Sequence, residues 1–117
     1  MTAVHLLTNP FSEEAPFEMA NLRPEKTGLP FVVWISQRGS AQHDVRIKLS
    51  RTPQAGPDWI TVTVRPVDDL SGTLRRREMD MVRAWIDLNR DTLVAYWNGE
   101  IAYTEEVMAR LAPLPKA

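Results

Sequence analysis

The sequence contains no cysteine among its 117 residues. This absence excludes disulfide bonds, thiol nucleophiles, iron–sulfur clusters and zinc sites built from thiolates. A chain without disulfides suits a reducing compartment, and we therefore expect a cytoplasmic protein. Long apolar runs are absent as well, because the longest one, "LPFVVWI", is far shorter than the roughly 20 residues of a membrane-spanning helix. No basic residue precedes the apolar stretch of the N-terminus, so neither export nor membrane insertion is expected.

A strong charge of either sign is also lacking. The net charge of -1 argues against a protein that coats nucleic acid through overall positive charge. Apolar residues at 44% and charged residues at 25% match the averages of globular proteins, and a chain of this length supports one hydrophobic core. The pattern predicts an irregular, proline- and glutamate-rich arm over residues 1–30 with one short strand at most, a single α+β domain over residues 31–111, and a frayed tail over residues 112–117.

Catalytic signatures are missing too. The sequence has no G-x-S-x-G, phosphate-binding loop, dinucleotide fingerprint or H-E-x-x-H motif. Its two histidines, His5 and His43, lie in separate segments without a second ligand at metal spacing. His43 and Asp44 could form a general base with its orienting carboxylate, although adjacent residues of a strand point to opposite faces. We expect no catalytic residue, cofactor or metal.

Three segments predict β-strands. Residues 31–37, "FVVWISQ", are rich in β-branched and aromatic side chains and too short for a typical helix. Residues 44–50 and 59–65 alternate apolar and polar side chains, which is typical of half-buried strands. Their apolar members are Val45, Ile47, Leu49, Ile60, Val62 and Val64. Because polar loops join these segments, we expect an antiparallel sheet of three or four strands.

The opposite side of this sheet is basic and rich in hydroxyl groups. It carries Arg46, Lys48, Thr61, Thr63 and Arg65. Residues 31–66 have a net charge of +3, whereas residues 1–30 and residues 67–117 each have a net charge of -2. Such a surface suits phosphate groups or an acidic protein partner, and an ordinary solvated sheet face explains the same residues. Arg46, Lys48 and Arg65 are therefore candidate partner-binding residues.

One long helix is predicted over residues 79–97. At about 100° per residue, its apolar side chains stay within one stripe. The stripe includes Trp85, Ile86, Asn89, Leu93 and Trp97. A break at "NRD", with Asp91 capping a second helix, is the competing interpretation. Gly99 should end the helix, since glycine tolerates the left-handed conformation of a C-terminal cap.

The aromatic and amide residues of the stripe predict a structural role. Aromatic side chains at helical spacing usually pack in a core, so Trp85 and Trp97 should fasten the helix to the sheet, and a ligand-stacking pair is the alternative. Asn89 needs a hydrogen-bond partner there, because an unpartnered buried amide costs roughly 1–3 kcal/mol. We expect a backbone partner, with a ligand contact as the alternative. A short helix should follow over residues 105–111, with Thr104 as its cap.

The run "LRRRE" contributes three further candidate partner-binding residues, Arg75, Arg76 and Arg77. Positive charge near the start of a helix opposes the helix dipole. The arginines could therefore mark a contact with phosphate or an acidic partner. The alternative is a solvated helix end in which Arg76 pairs with Asp80.

The stretch "MVRAWIDLNRDTLVAYWNGEI" resembles the C-terminal helix of small uncharacterised bacterial proteins akin to domain-of-unknown-function family 4160. The match to their W-x-x-L-x-R-x-x-L-x-x-x-W-like segment rests on Trp85, Leu88, Arg90, Leu93 and Trp97. The segment "HDVRIKL" is similar to the H-x-H-V-R strand of that family, except that Asp44 replaces the second histidine. The resemblance implies a small α+β protein, in some relatives encoded beside a partner in toxin–antitoxin-like cassettes, and it carries over no catalytic residue.

These observations predict a non-enzymatic bacterial interaction module that binds a protein partner, either antitoxin-like or an inhibitor carried by a mobile element. The alternative is a nucleic-acid-binding regulator that uses the same basic sheet face. An enzyme is a third class, for which the sequence offers no catalytic constellation. No membrane association is expected, and the sequence is compatible with a homodimer.

Overall fold

The computed structural model describes residues 19–52 and 59–115, which form a five-stranded antiparallel sheet covered on one face by a long helix. The strands are β1 (Met19–Leu22), β2 (Val32–Ser36), β3 (Arg46–Ser50), β4 (Ile60–Val64) and β5 (Val67–Asp69). They lie in the order β1-β2-β3-β4-β5, and every neighbouring pair is antiparallel. The helices are α1 (Pro24–Thr27), α2 (Arg76–Trp97) and α3 (Thr104–Arg110). The predicted α+β class and antiparallel meander are confirmed.

The predicted strand count of three or four is wrong, because the sheet has five strands. β1 lies within the predicted arm, where it pairs with β2 through Ala20 opposite Ile35. β5 spans only three residues of the predicted loop after β4, too few to show a period of two. Residues 1–18 of the predicted arm lie outside the described residues.

The core fills the space between one face of the sheet and α2. The inward side chains of the central strands are fully buried: Val33, Ile47, Leu49, Val62 and Val64 are each 0% exposed. They alternate along each strand with residues on the opposite, outer face. The predicted apolar face is therefore the face that the helix covers.

Helix α2 runs without interruption from Arg76 to Trp97, so the alternative of a break at "NRD" is wrong. It begins three residues before the predicted start. Its apolar stripe is buried as predicted: Trp85, Ile86, Leu93 and Trp97 are at most 3% exposed. These side chains lie in the core between α2 and the sheet, the position that the predicted structural role requires.

The end of α2 depends on a left-handed glycine. Gly99 has φ +81°, a conformation that glycine adopts without steric cost. The amide of Glu100 then donates to the carbonyl of Ala95 at 2.9 Å, which satisfies a carbonyl that the ending helix leaves free. The predicted role of Gly99 is confirmed.

Asn89 binds backbone atoms and joins the C-terminal segment to α2. Its Nδ2 donates to the carbonyls of Trp85 and Ala112, at 3.0 and 2.9 Å. Its Oδ1 accepts from the Ala112 amide at 2.8 Å. The side chain is 3% exposed and fully hydrogen-bonded, so the predicted backbone partner is confirmed.

The chain after α2 departs from the predictions in two respects. Helix α3 begins at Thr104, with Tyr103 rather than Thr104 at the capping position, and the Thr104 hydroxyl lies 3.3 Å from the Tyr96 hydroxyl. The tail is not frayed over residues 112–115, because the Leu114 amide donates to the Thr27 carbonyl at 2.8 Å. Local sequence predicted a free end, whereas Asn89 and Thr27 supply acceptors from distant parts of the chain.

Within residues 19–52 and 59–115, no helix combines the length and the apolarity that crossing a membrane would require.

Candidate functional site

The predicted basic face exists as a surface of β3 and β4. Arg46 lies opposite Thr63 and Lys48 opposite Thr61 in the register of these strands. Because Ile47 between them points into the core, all four side chains lie on the outer face. The structure thus brings together Arg46 and Lys48 as predicted, with Arg65 following at the end of β4.

The hydroxyl groups of this face are engaged within the protein. Lys48 Nζ donates to Thr61 Oγ1 at 2.8 Å. The Thr63 hydroxyl donates to the Pro66 carbonyl at 2.7 Å. These threonines are therefore less available to a ligand than the sequence pattern suggested.

Acidic side chains reduce the charge of the face. Arg65 binds the carboxylate of Asp44 through two hydrogen bonds, 2.8 and 3.0 Å long. The hydrogen bond from Arg65 keeps the pKa of Asp44 below its ordinary value. Asp68 lies opposite Thr63 and thus on the same face. Among the basic side chains of this face, Arg46 forms no ion pair within the described residues.

The geometry around His43 rules out the carboxylate-oriented base considered above. The Asp44 carboxylate is bound by Arg65, and the ring nitrogen Nδ1 of His43 lies 2.8 Å from the Asp44 carbonyl instead. The imidazole packs against the Trp97 ring, with 5.4 Å between ring centroids. His43 therefore contacts the end of α2 rather than a catalytic partner.

Two tryptophans also belong to the outer face, and the sequence left their direction open. Trp34 alternates with the inward Val33 and lies opposite Lys48. The Trp59 ring is 6.1 Å from the Trp34 ring, centroid to centroid, at an angle of 38°. Trp34 is only 6% exposed and donates through Nε1 to Ser50 Oγ at 3.4 Å. The alternation of inward and outward side chains along the strands was the signal that could have predicted the outward direction of both rings.

Within residues 19–52 and 59–115, two buried donors of the outer face have no acceptor. They are Nε of Arg46 and Nε1 of Trp59. A buried donor without an acceptor is unfavourable by roughly 1–3 kcal/mol. Both side chains are half-buried, but the two donor atoms themselves are buried.

The second candidate surface is the arginine triplet, which we define as Arg75, Arg76 and Arg77. All three side chains are exposed where α2 begins. In the part of the chain that the structure describes, none of them forms an ion pair or a side-chain hydrogen bond, and the predicted pair of Arg76 with Asp80 is not formed.

Glu78 is the acidic residue that offsets this positive charge locally. Its two oxygens accept from the Arg51 guanidinium at 2.6 and 2.9 Å, and one of them also accepts from the Arg75 amide at 2.9 Å. Arg51 and the Arg75 amide together lower the pKa of Glu78 from 4.5 to about 2. The sequence analysis missed this pair, since members 27 positions apart in the chain leave no local pattern.

The six predicted partner-binding residues form two separate groups. Arg46 and Arg65 lie at one end of the sheet, near the start of β3. The arginine triplet lies beyond the other end, where Arg51 follows β3 and contacts Glu78. Since the four residue steps from Arg46 to Ser50 span roughly 13 Å, the sheet separates the two groups.

No metal site is indicated: the parts of the chain covered by the structure contain no group of three or more histidine, aspartate or glutamate side chains able to hold an ion. No known protein family, curated protein or solved structure matches this chain. The function therefore has to be inferred from the two surfaces alone, and the resemblance described above stays a prediction.

Proposed function

We propose that this protein is a non-enzymatic interaction module that binds an acidic protein partner. The observation that carries the proposal is the arginine triplet, three consecutive arginines whose side chains are exposed and form no ion pair within the described residues. Guanidinium groups bind carboxylates in a two-pronged geometry, which makes an acidic protein surface the natural complement.

The position of the triplet strengthens this argument. Arginines at the start of a helix lie near its positive end, and each such charge is unfavourable by roughly 0.3–1 kcal/mol. Glu78 is occupied by Arg51 and the Arg75 amide, so it offers the triplet no free oxygen pair. Features that oppose local stability are typical of functional surfaces, where a ligand supplies the missing interaction.

An exposed apolar residue lies in the connection that leads to the triplet. Leu70 is 53% exposed, and its amide donates to the Thr61 carbonyl at 2.9 Å, which fixes the start of the connection to β4. The Asp69 carboxylate accepts from the amides of Gly72 and Leu74, which gives the connection a defined shape. Protein interfaces commonly combine an apolar contact with arginine side chains.

The proposal includes the biological role that the sequence predicted. A small module with a rigid cationic surface suits an antitoxin-like protein or a mobile-element inhibitor, which acts by covering an acidic surface of its target. We place the protein in the cytoplasm, a proposal supported by the absence of cysteine.

The proposal is tested by exchanging charge at the triplet. The variant Arg75→Glu/Arg76→Glu/Arg77→Glu and its charge-conserving control with three lysines are compared with the wild type. Each is used to capture a partner from cells, and the partner is then purified and titrated by calorimetry. We expect a stoichiometric complex for the wild type, a weaker one for the lysine variant, and a loss of at least a hundredfold in affinity for the glutamate variant.

Stability provides the control for this experiment. Glutamate is favourable in the first turn of a helix, so the glutamate variant should unfold at the same or a higher temperature than the wild type. Equal affinity of all three proteins for the partner would refute the role of the triplet. The matching reversal of Arg46, Lys48 and Arg65 to Glu should also abolish capture while leaving thermal unfolding nearly unchanged, and unaltered capture would refute the role of the sheet face.

A nucleic-acid-binding regulator is the second candidate, favoured by the presence of Trp59 on the same outer face as Arg46 and Lys48. Aromatic rings next to basic side chains are the elements of single-strand binding. A salt titration separates the two candidates, since affinity based on phosphate contacts falls steeply as salt rises. Tight binding of an oligonucleotide at low salt, lost at high salt, would favour the regulator over the protein-binding module.

A further inference from the structure

The side of α2 that faces away from the sheet carries a row of exposed side chains. Arg77, Ala84 and Asp91 follow one another at intervals of seven residues, which is about two helical turns, so they point in nearly the same direction. All three are exposed. Leu88 lies beside this line, one turn after Ala84, and is 52% exposed. We call Arg77, Ala84, Leu88 and Asp91 the exposed row of α2.

The two charges of the exposed row have no partner within the protein. In the described ranges 19–52 and 59–115, neither Arg77 nor Asp91 forms an ion pair or a side-chain hydrogen bond. Each of them is about 10.5 Å along the helix from Ala84. The row therefore has a positive end and a negative end at equal distances from a small residue, with the apolar surface of Leu88 between them.

We propose that two copies of this chain form an antiparallel dimer through the exposed row of α2. A two-fold axis at Ala84 places Arg77 of each copy opposite Asp91 of the other, which gives two equivalent ion pairs. The small side chain of Ala84 lets the two helices approach closely at the centre. A parallel pair would instead set like charges against each other, so charge complementarity selects the antiparallel arrangement.

Leu88 supplies the apolar contact of this dimer. A two-fold rotation keeps the same flank of both helices on the same side of the pair, so Leu88 of one copy lies beside Met81 of the other. Met81 precedes Leu88 by two helical turns and is half-buried. The opposite flank carries four charges that sum to zero: Asp80, Arg83, Asp87 and Arg90. That flank therefore adds no net repulsion between the copies.

The contact is small, so the dimer should be weak and depend on concentration. Helix α2 has 22 residues and is about 33 Å long. A contact one helix wide covers less than the roughly 800 Å² per subunit of a standard stable interface. The inference goes beyond the proposed function, because it assigns a second partner, another copy of this chain, and uses only Arg77 of the arginine triplet.

Exchanging the two charges tests the arrangement directly. Sedimentation equilibrium of the full chain, from about 10 µM to about 1 mM, measures the dissociation constant of the dimer. Arg77→Asp and Asp91→Arg each set like charges against each other, so each variant alone should dimerise at least tenfold more weakly than the wild type. An equimolar mixture of the two variants restores both ion pairs in the heterodimer, and it should associate about as tightly as the wild type.

Two further variants complete the experiment. Leu88→Asp removes the apolar contact and should abolish the dimer over the same concentration range. Arg23→Asp makes the same charge change as Arg77→Asp at an exposed position next to α1, and it should leave the dimer unchanged. Because every substituted side chain is exposed, we expect all variants to remain folded, and unfolding curves followed by circular dichroism check this.

Three results would overturn the inference. They are a wild type that stays monomeric at the highest concentration, a dimer that Leu88→Asp leaves intact, and a mixture of Arg77→Asp and Asp91→Arg that associates no better than either variant alone. The proposed function stands or fails separately. Leu88→Asp keeps the whole arginine triplet, so it should capture the acidic partner as well as the wild type does, whether or not the wild type dimerises.

Discussion

The two faces of the sheet come from the same strands but have opposite physical roles. On the inner face, Ile47 and Val62 are fully buried beneath α2. On the outer face, their neighbours Arg46 and Thr63 are half-buried, and Arg46 Nε has no acceptor within the described residues. Apolar and polar side chains alternate along β3 and β4, which creates both faces. The face that α2 covers is the one that becomes the core. Substitutions on the inner face should therefore change stability, and substitutions on the outer face should change binding.

The largest expected effect is the loss of an indole ring beneath α2. Trp85 is 0% exposed, and Trp85→Ala should destabilise the protein by roughly 3–5 kcal/mol because it leaves a large cavity in the core. Urea unfolding followed by circular dichroism measures the change. Leu88→Ala is the matched control on the same helix: Leu88 is 52% exposed, and the expected cost is below about 0.5 kcal/mol. Equal midpoints for Trp85→Ala and the wild type would mean that the inner face is not the core.

A smaller effect is expected at Asn89, the buried amide at the helix–tail contact. Asn89→Ala should cost roughly 1–3 kcal/mol, because the amide and carbonyl of Ala112 both lose their partner. Hydrogen exchange at the Ala112 amide should become faster at the same time. Asn98→Ala, at the exposed asparagine that follows the same helix, serves as control. If the substitution lowers stability without faster exchange at Ala112, the contact with the tail is not what Asn89 contributes.

The smallest effect is expected for the ion pair between Arg51 and Glu78, which joins the end of β3 to the start of α2. The pKa of Glu78 is lowered to about 2, below its ordinary value of 4.5. The stabilisation is therefore complete above about pH 5 and is lost as the pH falls toward 2. Since Arg51 is 48% exposed, solvent limits the loss to about 1 kcal/mol.

Unfolding curves at pH 6 and pH 3 measure this effect, and Glu78→Gln should reduce the difference between them. Glu106→Gln is the matched control, because Glu106 pairs with Arg110 within one exposed turn of α3. A pH dependence that is identical in the wild type and in Glu78→Gln would contradict the assignment to this ion pair.

The elements with long, regular patterns were predicted from the sequence. The unbroken apolar phase through Asn89 predicted a continuous helix, and the alternation around Ile47 and Val62 predicted two strands of the sheet. The shortest strands were not predicted in this way. β5 has three residues, and two of them are aspartates, which are more typical of turns than of strands.

The candidate site was predicted less completely than the fold. The sequence placed Arg46, Lys48 and Arg65 on one face, and the register shows Arg46 and Lys48 there. It did not reveal that Asp44 binds Arg65, because that pair depends on how the loop before β3 meets the end of β4. The outward direction of Trp59 was likewise undetermined until its ring was found beside that of Trp34.

By itself, the sequence determined the fold class, the long helix and the division of β3 and β4 into an apolar and a polar face. These features follow from side-chain periods of 3.6 and 2, which the chain carries locally. Only the tertiary structure decided which charges are neutralised, which donors remain unsatisfied and how the candidate residues divide into two surfaces. Those properties depend on distances between residues far apart in the chain, such as Arg51 and Glu78, and no local pattern encodes them.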